Sequence, residues 1–262
     1  MDALDFIFNY KSLSDFGFII ASFGDDGTVT PGVITYTTTN VPNHDRRYIS
    51  SVQYDSTIIF EFSIVKHDCA GKLDPINRYE ESAIRKWLEC EDGYHDLYFY
   101  QEDYENIYYR AYFTVTPQII AGRTYGYKLV ATTDSVYAYD VELEYDFDME
   151  ADNEYEFFLD SDKLGYIYPK IEITPFESGD LRLDITANNE IQSSSVFKNV
   201  VANQTFKIDC QLKKVENMDF NNFNLVFPRL LRDHNTDTLN TITVSAPCHM
   251  KFSYVPRRKV CF

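Results

Sequence analysis

Glycine and proline are scarce, with 10 and 9 in 262 residues, which excludes a linker-like or collagen-like polymer. Cysteine is sparse too. The five present, Cys69, Cys90, Cys210, Cys248 and Cys261, are an odd number without paired spacing. They read as mostly buried thiols of a reducing compartment, not as a disulfide framework. Cations are outnumbered: 24 Lys and Arg against 41 Asp and Glu give a net charge of −17. Such a chain is a poor candidate for binding nucleic acid through general electrostatic attraction. No uninterrupted apolar run approaches the ~20 residues of a membrane helix. The opening segment MDALDFIFNYKSL lacks a basic stretch followed by an apolar one, so no secretory signal is expected. The expectation is a chain with no membrane partner, made and kept in cytoplasm or leaving the cell by a route other than secretion.

Aromatic residues are abundant. The chain holds 21 Tyr and 20 Phe but a single Trp, a bias that favours strands. Its length allows one large or two ordinary domains with a proper core. Ile58, Phe60, Phe62 and Ile64 alternate with more mixed positions. Tyr98 and Tyr100, then Tyr108 through Val115, suggest two strands across a polar connection at Asp103–Asn106, and Gly122 punctuates before another. Later, Leu181, Leu183 and Ile185 alternate with polar residues, as do Phe206, Ile208, Cys210 and Leu212. Many short strands between turns predict a mainly β fold of sandwich or jelly-roll type. One segment, near residues 75–91, keeps a helical period: Ile76, Tyr79, Ala83, Ile84, Trp87 and Leu88 form one stripe. Asp74 is the expected N-cap, Pro75 the first helical residue, and Gly93 the stop. Trp87 is the candidate core anchor of this helix against a sheet. Glu89, Glu91 and Asp92 crowd its C-terminal end, where the dipole disfavours anions, so they are either solvated or meet a basic partner. A domain boundary is expected near Tyr139, giving domains 1–139 and 140–262.

From Asp140 to Asp152 every even-numbered residue is acidic: Asp140, Glu142, Glu144, Asp146, Asp148, Glu150 and Asp152. Val141, Leu143, Tyr145, Phe147, Met149 and Ala151 stand between them. A period of two predicts a strand with one apolar face and one carboxylate face. No Lys or Arg lies between Asp140 and Asp162, so nothing nearby in sequence neutralises the row. Such a face repels nucleic acid and anionic lipid. It serves either as a solvated strand face that discourages edge pairing or as the wall of an acidic channel.

Catalytic and ligand-binding motifs are missing or incomplete in the sequence. The segment Asp160–Gly165 begins like a calcium loop, but Leu164 and Ile171 occupy positions that need oxygen ligands, which favours a plain turn. His67 with Cys69, and Cys90 with His95, lack the four-ligand spacing of zinc. There is no GxSxG, no P-loop and no dinucleotide fingerprint. No catalytic residue, metal or cofactor is expected. Tyr166 or Tyr168 could offer a platform to a sugar, although their strand period fits core and edge positions more simply.

The later segments IYPKIEITPFESGDLRLDIT (Ile167–Thr186), NVVANQTFKIDC (Asn199–Cys210), FPRLLRDHNTDTLNTITVS (Phe227–Ser245) and MKFSYVPRRKV (Met250–Val260) follow an order that resembles the C-terminal domain of phage distal tail proteins. Asp233-His234 stands where that family often has a Gly before Asn235. The earlier segments FNYKSLSDFGFII (Phe8–Ile20), IRKWL (Ile84–Leu88) and GYHDLYFYQEDYENIYYRAYFT (Gly93–Thr114) are similar to the family's opening strand, helix and hairpin. The resemblance covers nearly the whole chain. It implies an N-terminal β-sandwich with one helix and an extended arm, and a C-terminal galectin-like β-sandwich. The arm and its neighbourhood would fall in the polar stretch Ser22–Ser51, with GDDGTVTPG near its start and Asn43 to Arg47 later; an ordinary surface hairpin is the plainer reading. The resemblance further implies a homohexameric ring formed through the N-terminal half. This structural baseplate hub, at the tail tip of a virion assembled from protein made in bacterial cytoplasm, would join the tail tube protein to a tail-tip or tail-associated protein. Genomic DNA would pass through it without specific binding. The alternative is a carbohydrate-binding adhesin that uses the C-terminal sandwich on cell-wall polysaccharide. A jelly-roll glycosidase is a third and remoter reading.

Overall fold

The computed structural model describes residues 5–22, 29–40, 45, 47–67, 72–101, 106–233 and 238–260. Asp103, His234, Asn235, Cys69, Cys261, Asn43, Arg46 and the whole GDDG segment, named above, lie outside these residues. The chain divides into two compact units: Met1–Asp140 together with Lys259–Phe262, and Val141–Arg258.

The first unit is built on an eight-stranded antiparallel sheet. In spatial order its main path runs through Lys11–Ser12, Phe6–Phe8, His95–Phe99, Tyr109–Ile120, Arg123–Thr133, Ile59–Lys66 and Phe18–Ser22; Val29–Thr30 also pairs with Ile59–Lys66. Alternation puts Phe60, Phe62 and Ile64 on the inner face, where all are fully buried. The sheet closes over itself. Phe6 and Phe62 belong to strands four places apart, which on a flat sheet means about 19 Å, yet their rings meet at 5.5 Å. Phe8, Phe99, Tyr109 and Phe113 complete this aromatic core. Ala121 and Gly122, both at positive φ, make the tight turn between the two longest strands of the sheet, a conformation that suits a two-residue hairpin.

The helix is shorter than its period suggested, running Arg78–Leu88. Its cap is Asn77 rather than Asp74: the Asn77 side chain accepts from the N–H groups of Tyr79 and Glu80, and Glu80 returns a bond to the Asn77 N–H. Asp74 instead pairs with Lys66 at 2.8 Å. Ile84, Trp87 and Leu88 are buried, but Tyr79 is 90% exposed and Ala83 is exposed too. The buried stripe is therefore confined to the last turns. The Trp87 indole lies between Phe16 and Phe6, with ring centroids at 4.6 and 5.6 Å, and its N–H donates to the Phe8 carbonyl at 2.7 Å.

The second unit packs two antiparallel sheets around one core. One sheet orders its strands Leu143–Met149, Cys248–Tyr254, Lys170–Pro175, Phe206–Asp209 and Lys214–Glu216; the other orders Glu154–Phe158, Leu239–Val244, Gly179–Ala187 and Glu190–Val200. Ile171, Ile173 and Phe252 of the first meet Leu183, Phe197 and Ile242 of the second in a single apolar cluster. Leu212 does not continue the buried alternation of Phe206, Ile208 and Cys210. The strand stops at Asp209, whose carboxylate accepts from the Leu212 N–H, and Leu212 stands 74% exposed in the turn.

Candidate functional site

Two surfaces stand out, and they contrast. The first is a long hairpin, Val33–Asn40 paired with Arg47–Ser56, which forms a two-stranded sheet of its own. It begins and ends later than the stretch Ser22–Ser51, because Val29–Thr30 belongs to the main sheet. Ile34 lies opposite Tyr54 and Tyr36 opposite Val52, so one face carries these four apolar side chains. Thr35, Thr37, Gln53 and Ser51 share the other face. Tyr36, Ile49, Val52 and Tyr54 are about half exposed or more. At the base, Gly32 passes so close to Val136 that an added Cβ would lie 2.6 Å from its side chain. Tyr54 also meets the ring of Tyr137 there, at 6.1 Å. An isolated two-stranded hairpin is marginal in water, and this one presents an apolar face to solvent.

The second surface is the acidic edge. The row does not form one strand. Its regular part is Leu143–Met149, after which the chain turns at Ala151–Asp152 and enters the opposite sheet at Glu154. Asp152 sits in the turn at φ 59, its N–H bound to the Val244 carbonyl, while Asp140 ends the first unit. Tyr145, Phe147 and Met149 face the core, but Val141 and Ala151 are exposed and leave the pattern. Glu144, Asp146, Asp148 and Glu150 are all exposed.

The row is also not unneutralised. Its neighbour across the sheet, Cys248–Tyr254, brings Lys251 to Glu144 at 3.0 Å and His249 to Asp148 and Asp146 at 2.8 and 3.2 Å. Glu142 accepts from Ser253 at 2.6 Å and faces Lys170 at 3.8 Å. The hydrogen bond to Glu144 raises the Lys251 ammonium above its ordinary pKa. Farther along the same face Glu172 pairs with Lys207 at 2.6 Å. Cross-strand pairing thus supplies the counter-charges that the local sequence lacks. Within its sheet the strand is an edge, and charged side chains on an edge discourage further pairing.

Several other candidates have ordinary structural roles. Asp160 of the calcium-like loop is held by both guanidinium nitrogens of Arg258 at 2.7 Å, which depress its carboxyl below the usual range. That leaves a cross-linked turn. The Tyr166 ring is covered by the Arg229 guanidinium at 4.1 Å, so that face is not free to stack on a sugar. Burial pushes the Cys248 thiol up to about 11 and the Cys210 thiol higher still, which suits inert core residues. Beside the end of the helix lies an open cleft of about 1080 Å³, lined in part by Asn9, Glu89, Cys90, Asp92 and Tyr112. Among the described residues, no helix is long and apolar enough to cross a membrane.

Two family models match the chain in tandem: a phage tail protein N-terminal domain over residues 1–135 and a phage tail C-terminal domain over residues 137–254. Among solved structures, the chain is similar to the Dit protein of phage SPP1, described as a paradigm of the hub adsorption apparatus in phages that infect Gram-positive bacteria. The identity is 11%, covering 97% of this chain and 99% of that one, with a TM-score of 0.66. It is also similar to a chain of the phage P2 baseplate in its activated, calcium-bound conformation, at 8% identity over 100% of both chains and a TM-score of 0.53. No curated protein matches it. With both halves matched in order and the fold shared along the whole chain, the protein belongs to the phage tail protein family and has the fold of a distal-tail hub protein.

Proposed function

We propose that the protein is a structural hub of the tail tip: six copies close into a ring through the first unit, joining the tail tube to tip proteins and leaving a channel for DNA. The observation that carries this reading is the hairpin arm. Its face of Ile34, Tyr36, Val52 and Tyr54 is apolar, yet it stands in solvent, and an uncovered apolar face on a projecting element fits contact with a neighbouring molecule. Head-to-tail contacts between identical copies close into cyclic rings when the rotation permits. The ring, its six-fold count and its partners rest on membership of a tail-protein family and on the shared hub fold. Catalysis forms no part of the role.

An acidic lumen follows from the net charge of −17, since carboxylates keep phosphates from adhering as DNA passes. The row from Asp140 to Asp152 is one candidate lining, although Lys170 and Lys251 offset part of its charge. Native mass spectrometry of the purified protein, alone and with tube or tip protein, tests the hub: six subunits are expected. A strict monomer under all these conditions would contradict it. A glycan array probed with the full chain tests the adhesin alternative, and no binding is expected.

A further inference from the structure

At the C-terminal end of the helix the chain turns so as to gather Cys90, Asp92 and His95, with one ligand atom of each within 4.8 Å of the others. His95 Nε2 and Asp92 Oδ1 are already 2.7 Å apart. Spacing alone left Cys90 and His95 as an incomplete pair. The turn between them contributes the third donor, so the segment reads Cys-x-Asp-x-x-His with all three side chains converging.

The trio is held in place from several directions. The Cys90 thiol donates to the Trp87 carbonyl at 3.0 Å, and the Asn9 amide approaches the sulfur at 3.8 Å. His95 opens the strand His95–Phe99, with its ring edge-on to Phe8 at 5.7 Å. Asp92 is the exposed member, on the turn. Arg85, which holds Glu89 at 3.0 Å, and Lys86 are the cations of the last helical turn. Glu91 and Asp92 follow it, beside helix carbonyls that carry the negative end of the dipole, a setting that favours a bound cation.

We propose that Cys90, Asp92 and His95 bind one Zn²⁺, with water in the fourth position. Thiolate, carboxylate and imidazole are all zinc ligands, and a tetrahedral site with usual bond lengths sets the donor atoms about 3.3–3.7 Å apart. The His95–Asp92 pair, now at 2.7 Å, must therefore open by slightly less than about 1 Å to admit the ion. All three ligands come from one short segment, so little chain entropy is lost in closing the site. Cys90 and Asp92 line the open cleft beside the helix, which gives solvent access to the site.

The test is a titration of the chelator-treated full chain with Zn²⁺ and, separately, with Co²⁺. One Zn²⁺ per chain is expected, and Co²⁺ should give a thiolate-to-cobalt charge-transfer band. Cys90→Ser should abolish the band. Cys90→Ser and His95→Gln should each weaken Zn²⁺ binding by more than about 100-fold, beyond the usual cost of losing an outer-shell partner. Asp92→Asn, on an exposed turn that does not threaten folding, should weaken it by at least about tenfold. His249→Gln, at the acidic edge, should leave it unchanged. Absence of stoichiometric binding, a band that survives Cys90→Ser, or full affinity in Asp92→Asn would overturn the assignment. None of these outcomes depends on whether the ring forms.

Discussion

The hairpin arm and the acidic edge solve the same physical problem in opposite ways. Both are strands with unpaired backbone groups along one side, and such edges recruit other strands. In the second unit, Leu143–Met149 presents Glu144, Asp146 and Asp148 outward and binds them to Lys251 and His249 of its own sheet. That edge is charged, internally partnered and silent. In the first unit, the arm presents Tyr36, Val52 and Tyr54 on one apolar face, about half exposed. Exposure therefore has different meanings in the two places. One surface is partnered within the single chain, and the other leaves an apolar face exposed, which the proposed ring would cover.

The largest expected effect concerns what holds the arm's own unit together. Trp87→Ala removes an indole stacked on Phe16 and Phe6 and leaves the Phe8 carbonyl without its donor. It should cost roughly 3–5 kcal/mol, the usual range for a large buried aromatic, measured by denaturant unfolding. If the two units are energetically separate, the loss appears in one transition only. A loss below about 1 kcal/mol would mean that the helix does not anchor this core.

Making the silent edge resemble the arm sharpens the contrast. Replacing Glu144, Asp146 and Asp148 with Thr keeps strand propensity but removes the outward charge. The triple variant should self-associate with rising concentration in sedimentation experiments, through the second unit. Unchanged behaviour would mean that charge is not what keeps this edge unpaired.

The smallest effect lies in the Asp160–Arg258 pair. Its depressed carboxyl contributes stability that is present above the unfolded value, near pH 4, and is lost as pH falls through the lower folded value. Because Asp160 is more than half exposed, the contribution should stay below about 1 kcal/mol after solvent screening. Asp160→Asn should remove that acid-side dependence, lowering stability at neutral pH by less than about 1 kcal/mol and changing nothing at low pH, as read from thermal unfolding across the range.

Period and burial explain what could be read from sequence. Leu181, Leu183 and Ile185 are all fully buried because a strand in a sandwich must alternate. The same reasoning failed where the chain leaves its element. Leu212 continues a period of two on paper but falls in a turn fixed by Asp209. Tyr79 continues the helical stripe on paper but lies in the first turn, away from the core. The acidic row shows a deeper limit. Its alternation tells which side faces out, but its partners are His249 and Lys251, about a hundred residues later, and only sheet register brings them together. The third donor beside Cys90 and His95 was hidden for a similar reason: three side chains on a turn converge through backbone geometry that no spacing rule describes.

The central claim is that the arm is the surface completed by other copies. Replacing Tyr36, Val52 and Tyr54 together with Ser, and weighing the protein by native mass spectrometry beside the unaltered chain, tests it most directly. The account predicts six subunits for the unaltered chain, monomers for the variant, and unfolding curves for the two that differ by no more than about 1.5 kcal/mol, the sum expected of three largely exposed substitutions. A variant that still assembles into sixes would contradict it.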